Sequence, residues 1–423
     1  MRDWMSVILV GLLVHTVPAN AVEPSVPARV GTRLSLDDAI QRAGERGPGL
    51  HAARAGQTSA AATRKAAASP LSLPPRLEIE VARHSYPGGV GTDVTASLWQ
   101  DLSLGGLGTA KRSFAESNTQ LRAIELELAR RQAIHHATIA WIDARHARSL
   151  SALRQKSLSL AEQMVRITAS RVQAGAVPPV ELVLANSVLG STRASLLDAH
   201  GRVVEADARL RHAVGLEPNT PLEIDADLTR SDTAVKEAPA NLTQAIKGHP
   251  LVRLAEMSAR QADARSELEA ARGRPVLGVG VTYAREATGD RLFGAMVSLP
   301  LPIVNPTALE ASMARADADI TRARSQEVET ALVREALVAW HETGHARELR
   351  EALKSGSIEP GQSALGEILK RYERGDVGLA ETLAARRELL SVEEAYLAAC
   401  ADVFRADARF AYVAGPRTSA VTQ

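Results

Sequence analysis

The chain says nearly the same thing twice. Arg171-x-x-x-Gly175-x-Val177 returns as Arg371-x-x-x-Gly375-x-Val377, Glu181 as Glu381, Leu197 as Leu397 and segment 209–215 as 409–415, each 200 residues on. Ala140-Trp141 returns as Ala339-Trp340 at a spacing of 199, and the strand-like run 77–84 as 277–284. A tandem duplication this long means one fold unit used twice. It is far longer than a solenoid repeat, so it predicts a protomer with two-fold pseudo-symmetry rather than an array.

The N-terminus reads as an address. Met1-Arg2, an apolar stretch over 7–14 and the A-x-A site Ala19-Asn20-Ala21 predict a Sec-type signal peptide, residues 1–21, cut near Ala21. The apolar run is about half the ~20 residues that a spanning helix needs. No cysteine follows it, so the mature protein is not expected to be lipid-anchored at a new N-terminal cysteine. Cys400 is the sole cysteine, which rules out an intramolecular disulfide. A net charge of +1 argues against nucleic acid as a partner. Aromatics are only 3%, and Ala, Leu, Glu and Arg dominate, as in long helices packed through small residues.

Each repeat has the same plan. Repeat 1 covers 34–215: a helix opening at Ser35 with Asp38 as a capping box and running to about Ala68, before Pro70, Pro74 and Pro75; strands over about 77–84 and 92–102; a breaker-free helix over about 107–174; and a return helix over about 179–214. A linker, 216–240, follows. Repeat 2 covers 241–415: a helix from Leu242 to about Arg272, strands over about 276–285 and 291–302, a long helix over about 306–374 with a kink near Gly356 and Pro360, and a return helix over about 379–414. A tail, 416–423, ends the chain. Each long helix stops at a glycine, Gly175 or Gly375, placed as a C-cap.

The hairpins alternate. Leu77, Ile79 and Val81 interleave with Glu78 and Glu80; Val94, Ala96 and Leu98 with Thr95 and Ser97; repeat 2 follows the same pattern. A long helical hairpin of roughly 100 Å, at ~1.5 Å per residue, does not fit a compact domain and must pack side by side in a bundle or tube. Four strands cannot close a barrel, but three copies supply twelve. The expected fold is therefore mainly α with a small antiparallel β part, a homotrimer with a 12-stranded barrel in outer membrane lipid, continued by a periplasmic α-helical barrel. Tyr86, Trp99, Tyr283 and Phe293 lie in or beside the hairpins, where an interfacial girdle would sit. Glu78 and Glu80 are the candidate pore-lining residues.

This order of elements, with the duplication and the signal peptide, resembles the TolC-type outer membrane efflux proteins over about 34–416. Gln100-Asp101-Leu102-Ser103-Leu104-Gly105-Gly106 and Val297-Ser298-Leu299-Pro300-Leu301-Pro302-Ile303-Val304-Asn305 are similar to the strand-to-helix junctions of the CzcC-like branch. Arg371-Tyr372-Glu373-Arg374-Gly375-Asp376-Val377-Gly378 resembles the family's helix-tip motif. Two departures stand out: the basic pair after the double glycine comes late, as Lys111-Arg112, and Pro306 follows Asn305. The resemblance implies a passive exit duct without cofactor or chemistry. Its partners would be a periplasmic adaptor and a proton-driven inner-membrane pump of the resistance-nodulation-division type. The CzcC-like branch implies divalent heavy-metal cargo such as cobalt, zinc or cadmium. The adaptor contacts it implies fall at the tips: Arg171, Gly175, Val177, Arg371, Tyr372, Gly375, Asp376 and Val377.

Other readings compete. A duct for drugs or secreted polypeptides would share this architecture. A soluble periplasmic coiled-coil or adaptor protein would lack a use for the alternating hairpins. His341-Glu342-Thr343-Gly344-His345 matches the H-E-x-x-H signature of zinc proteases. It falls inside a long helix, with no third ligand and no catalytic domain around it, so the enzyme reading is set aside. His135-His136 is expected to be solvated, and as adjacent helix residues pointing about 100° apart they would chelate a metal poorly.

Overall fold

The computed structural model describes residues 32–69, 73–224, 242–300 and 307–415. The expected signal peptide, residues 225–240 of the linker, the Asn305-Pro306 junction and the tail 416–423 lie outside the described residues. In the first half, β1 (Thr32–Arg33), α1 (Leu36–Arg46) and α2 (Leu50–Ala67) lead to a hairpin, β2 (Arg76–Tyr86) and β3 (Gly89–Ser103). The 67-residue α3 (Leu107–Gln173), its return helix α4 (Pro179–Ala213) and β4 (Leu222–Glu223) follow. In the second half come α5 (Leu242–Lys247), α6 (Pro250–Arg272), β5 (Val276–Arg285) and β6 (Arg291–Ser298), then α7 (Ala308–Leu353), α8 (Glu359–Arg374) and α9 (Leu379–Ala414).

The helix expected over 35–68 is two helices. Ser35 caps α1: its hydroxyl accepts from the Asp38 amide at 3.1 Å while its own amide donates to Asp38 Oδ2. Pro48 then forces the break. It pushes Gly47 out of the helical region to φ −60°, ψ 157°, and Gly49 restarts the chain in the left-handed region at φ +84°. The second half breaks in the same way before Pro250, where His249 is extended and its Nδ1 accepts from the Leu251 amide at 3.1 Å. The interruption expected near Gly356 and Pro360 is a π-helical turn, Lys354–Ile358, between α7 and α8. Pro360 has no N–H to give, and widening the preceding turn lets the helix run on around that gap.

The two hairpins form one antiparallel sheet in the order β2-β3-β5-β6. Its register is regular throughout, from Arg76↔Trp99 to Tyr86↔Gly89 and from Gly278↔Ser298 to Arg285↔Arg291, so side chains alternate cleanly between two faces. A small parallel pair, β1 and β4, sits apart from it.

Alanine dominates the helical core. Ala39, Ala43, Ala137, Ala144, Ala206 and Ala401 are buried around Trp141, whose indole Nε1 donates to the Leu34 carbonyl at 3.2 Å. Small side chains let the long helices approach closely, which suits a chain poor in aromatics. Partly buried ion pairs brace the hairpins at matching heights. Arg148–Asp207 ties α3 to α4 and Arg347–Asp407 ties α7 to α9, at repeat offsets of 199 and 200. Among the described residues, no helix is long and apolar enough to cross a membrane.

Candidate functional site

The helical tips follow directly from their glycines. At the end of α3, Gly175 adopts φ +70°; its amide donates to Val172 O and the Ala176 amide reaches back to Arg171 O at 2.9 Å. At the end of α8, Gly375 adopts φ +89° and the Asp376 amide reaches Arg371 O at 2.9 Å. Both are Schellman caps, which explains the Arg-x-x-x-Gly spacing: the arginine carbonyl is the acceptor one turn back, and only glycine takes the left-handed position without strain.

The tips differ in particular at the position after the arginine. Position 172 is valine, but position 372 is a tyrosine that is fully buried, 0% exposed. The Tyr372 hydroxyl lies 2.6 Å from Thr168 Oγ1 on α3. Arg171 covers its ring, with the guanidinium 4.9 Å from the ring centre and Nη1 donating to the Tyr372 carbonyl. The two tips are thereby joined, and Met164, Ala185 and Leu379 pack around the ring. This corrects the expected surface. Tyr372 and Val377, the latter 5% exposed, are internal and shape the tip, while Gly175, Arg371, Gly375 and Asp376 are exposed and Arg171 and Val177 are partly so. Asp376 also pairs with Arg374 at 3.2 Å. Thr168 was not legible as a tip residue; the departure from repeat symmetry at 172 and 372 was the available signal.

The sheet has one apolar face. Leu77, Ile79 and Val81 line up across β3 with Leu98, Ala96 and Val94, and onward with Val281, Tyr283, Phe293, Ala295 and Val297. Many of these are bare in the protomer: Leu77, Ile79 and Val81 are each 66% exposed and Phe293 is 80% exposed. The other face carries Glu78 and Glu80 opposite Ser97 and Thr95, and Ser97 Oγ bonds Thr282 Oγ1 at 2.9 Å. The aromatic girdle needs correction. Tyr283 and Phe293 are cross-strand partners on the apolar face, but Tyr86 and Trp99 share the parity of Glu78, and Trp99 lies over Gly280 on that polar face.

The H-E-x-x-H stretch lies in α7, and Glu342 is held by Arg409 at 2.8 Å. Among the described residues, no group of three or more His, Cys, Asp and Glu side chains is placed to hold a metal ion. His136 is exposed as expected, but His135 is not: it is partly buried and stacks on Tyr412 at 4.7 Å between ring centres. Burial holds its pKa below the ordinary histidine value.

The fold, a sheet of two hairpins set on long antiparallel helices, is similar to that of the outer-membrane channel OprN, with a TM-score of 0.74 over 90% of each chain at 18% identity. CusC, whose structures concern transmembrane channel formation, superposes with a TM-score of 0.77 over 92% of this chain and 95% of its own, at 16% identity. Residues 39–216 match the family profile described as outer membrane efflux protein. The outer membrane efflux protein BepC of Brucella suis biovar 1 (strain 1330) is 24% identical over 281 residues, 64% of this chain and 60% of BepC. Protein CyaE of Bordetella pertussis (strain Tohama I) is 23% identical over 269 residues, 61% of this chain and 56% of CyaE. The aligned part thus spans less than two thirds of either relative. Over residues 39–216 the chain is thus similar to outer membrane efflux proteins, and over most of its length it shares the fold of CusC.

Proposed function

We propose that this chain is the outer-membrane channel of a tripartite efflux system, a passive duct that assembles as a homotrimer. The observation that carries this reading is the sheet. It has a continuous apolar face, much of it bare, and its two edge strands, β2 and β6, are unpaired in the protomer. Such a sheet is unstable in water and in lipid until its edges are closed. Three copies joined β2 to β6 make twelve strands, with the apolar face toward lipid and Glu78, Glu80, Ser97 and Thr282 toward the lumen. At 11 residues, β2 matches the ~9–11 that a tilted membrane strand needs.

In this reading the helices extend the duct into the periplasm, and the exposed tip residues Gly175, Arg371, Gly375 and Asp376 meet a periplasmic adaptor that bridges to an inner-membrane pump. The cargo proposed is divalent heavy-metal cations. Its supports are the resemblance of 100–106 and 297–305 to the CzcC-like junctions and the carboxylates of Glu78 and Glu80 on the polar face.

Membrane fractionation with crosslinking in mild detergent tests the architecture. A trimer in the outer membrane is expected; a soluble monomer would end the barrel reading. Deletion of the gene tests the cargo, with lost tolerance to zinc, cobalt or cadmium expected. Unchanged metal tolerance with lost tolerance to organic compounds would reassign the duct to drugs. Single-channel recording of Glu78→Gln tests the lumen, and unchanged cation preference would remove Glu78 from it.

A further inference from the structure

Arg386 of α9 is a buried charge that meets no counter-ion among the described residues. It is 7% exposed, and its Nη2 donates to Ser157 O at 2.8 Å, Ser157 Oγ at 2.7 Å and Thr192 Oγ1 at 3.3 Å. All three acceptors are neutral. Its Nε is buried with no partner. Arg154 repels it and is itself paired with Glu394. An unpaired buried guanidinium is costly, whereas one that meets an anion forms strong, directional bonds.

Arg386 and Ser157 border a cleft of about 310 Å³ between α3, α8 and α9. Its walls are leucine: Leu153 and Leu160 from α3, Leu365 and Leu369 from α8, Leu389 and Leu390 from α9. Lys156 adds a second cation, and the cleft's one carboxylate, Glu393, is engaged by Gln362 Nε2 at 2.9 Å. The π-helical turn Lys354–Ile358 lies immediately before the α8 wall and sets its rotation. At Gly366 a Cβ would meet nothing within 4 Å, so the α8 side of the cleft is open. At ~30 Å³ per displaced water, the space holds roughly ten heavy atoms.

We propose that this cleft binds a small amphiphilic anion, an alkyl carboxylate whose head meets Arg386 and Lys156 and whose tail lies among the six leucines. An inorganic anion would satisfy the charge but leave the leucine walls wet. The proposal stands apart from the duct reading, because it concerns the protomer's own helices.

The test uses the full chain purified in mild detergent and a medium-chain carboxylate carrying a photoreactive diazirine in its tail. Crosslinked peptides are expected within 153–160, 362–369 and 386–393. Excess octanoate should cut labelling by about tenfold, since it supplies the same charge-assisted contact, while 1-octanol, equal in length but neutral, should not compete. Arg386→Met should abolish labelling with unchanged circular dichroism. If that variant fails to fold, the two competitors on the unaltered protein still decide. Equal competition by octanol or labelling confined to other surfaces would each overturn the proposal.

Discussion

Tyr372 of α8 and Thr168 of α3 meet through a 2.6 Å hydrogen bond in the buried interior of the tip. Thr168 spends its own proton on the Met164 carbonyl at 2.8 Å, so the tyrosine is the donor and the threonine the acceptor. One bond therefore links the second tip to the helix that carries the first. Removing the hydroxyl alone, as Tyr372→Phe, should cost about 1 kcal/mol. Tyr372→Ala should cost about 3–5 kcal/mol, because it also opens a cavity. Urea unfolding by circular dichroism separates the two. Equal losses would show that the ring contributes nothing.

Gly175 has no heavy atom within 4 Å of where a Cβ would stand, so substitution there meets strain without a clash. Placing an L-residue in the left-handed region costs about 1–2 kcal/mol. Gly175→Val should loosen the turn and abolish crosslinking to the adaptor while trimers still form. Gly175→Asn, which tolerates this conformation, should stay close to the parent. A valine variant with full metal tolerance would remove the tip from adaptor docking.

His249 makes stability depend on pH. Its Nδ1 accepts from the Leu251 amide, so Nε2 carries the proton and donates to the Tyr412 carbonyl at 3.0 Å; the neutral form is the one the fold uses. Burial is the main cause that lowers its pKa below 6.5, with Arg131 adding to it. Above that value both folded and unfolded histidine are neutral. As pH falls through 6.5 the unfolded chain takes up its proton first, so stability is lost toward acid. His135 and His146 shift in the same direction and add to the slope. Thermal melts between about pH 7.5 and 5.5 should fall steadily, and His249→Asn, which keeps a capping oxygen without a titrating ring, should flatten the curve. An identical slope in the variant would exclude His249 as a source.

Trp99 and Gly280 are cross-strand partners, and a Cβ at Gly280 would stand 2.8 Å from the indole ring. Gly280→Ala should therefore cost about 1–3 kcal/mol by overpacking. Adding Trp99→Leu should recover part of that loss, as two residues in contact couple. Heat resistance of the assembled protein on gels, compared across the parent, the two single variants and the double variant, reads the coupling. Strict additivity would mean that the ring moves aside freely.

Much of the architecture was legible because it rests on local rules. The period-two runs around Leu77 and Leu277, the breaker-free stretch after Leu107 and the glycines at 175 and 375 each encode their own element. What was missed depends on partners distant in the chain. The burial of His135 comes from Tyr412, and that of Tyr372 from Thr168, contacts that no window along the sequence contains. Residue type alone groups Trp99 with Tyr283 and Phe293, and only strand parity puts it on the opposite face. The break at Pro48 is a local signal too, but the helix expected over 35–68 runs through it. Arg386 left no trace, because an arginine in a long helix ordinarily reads as solvated.

The long helix α3 also has a mechanical meaning. Its 67 residues place the tip about 100 Å from the sheet at ~1.5 Å per residue. On such a lever a tilt of only about 3° at the root swings the far end by about 5 Å, the rise of one helical turn. Cross-braces such as Arg148–Asp207 and Arg347–Asp407 therefore govern position far from where they sit. An angular error too small to disturb local packing at the root would still misalign the tip by the width of a side chain.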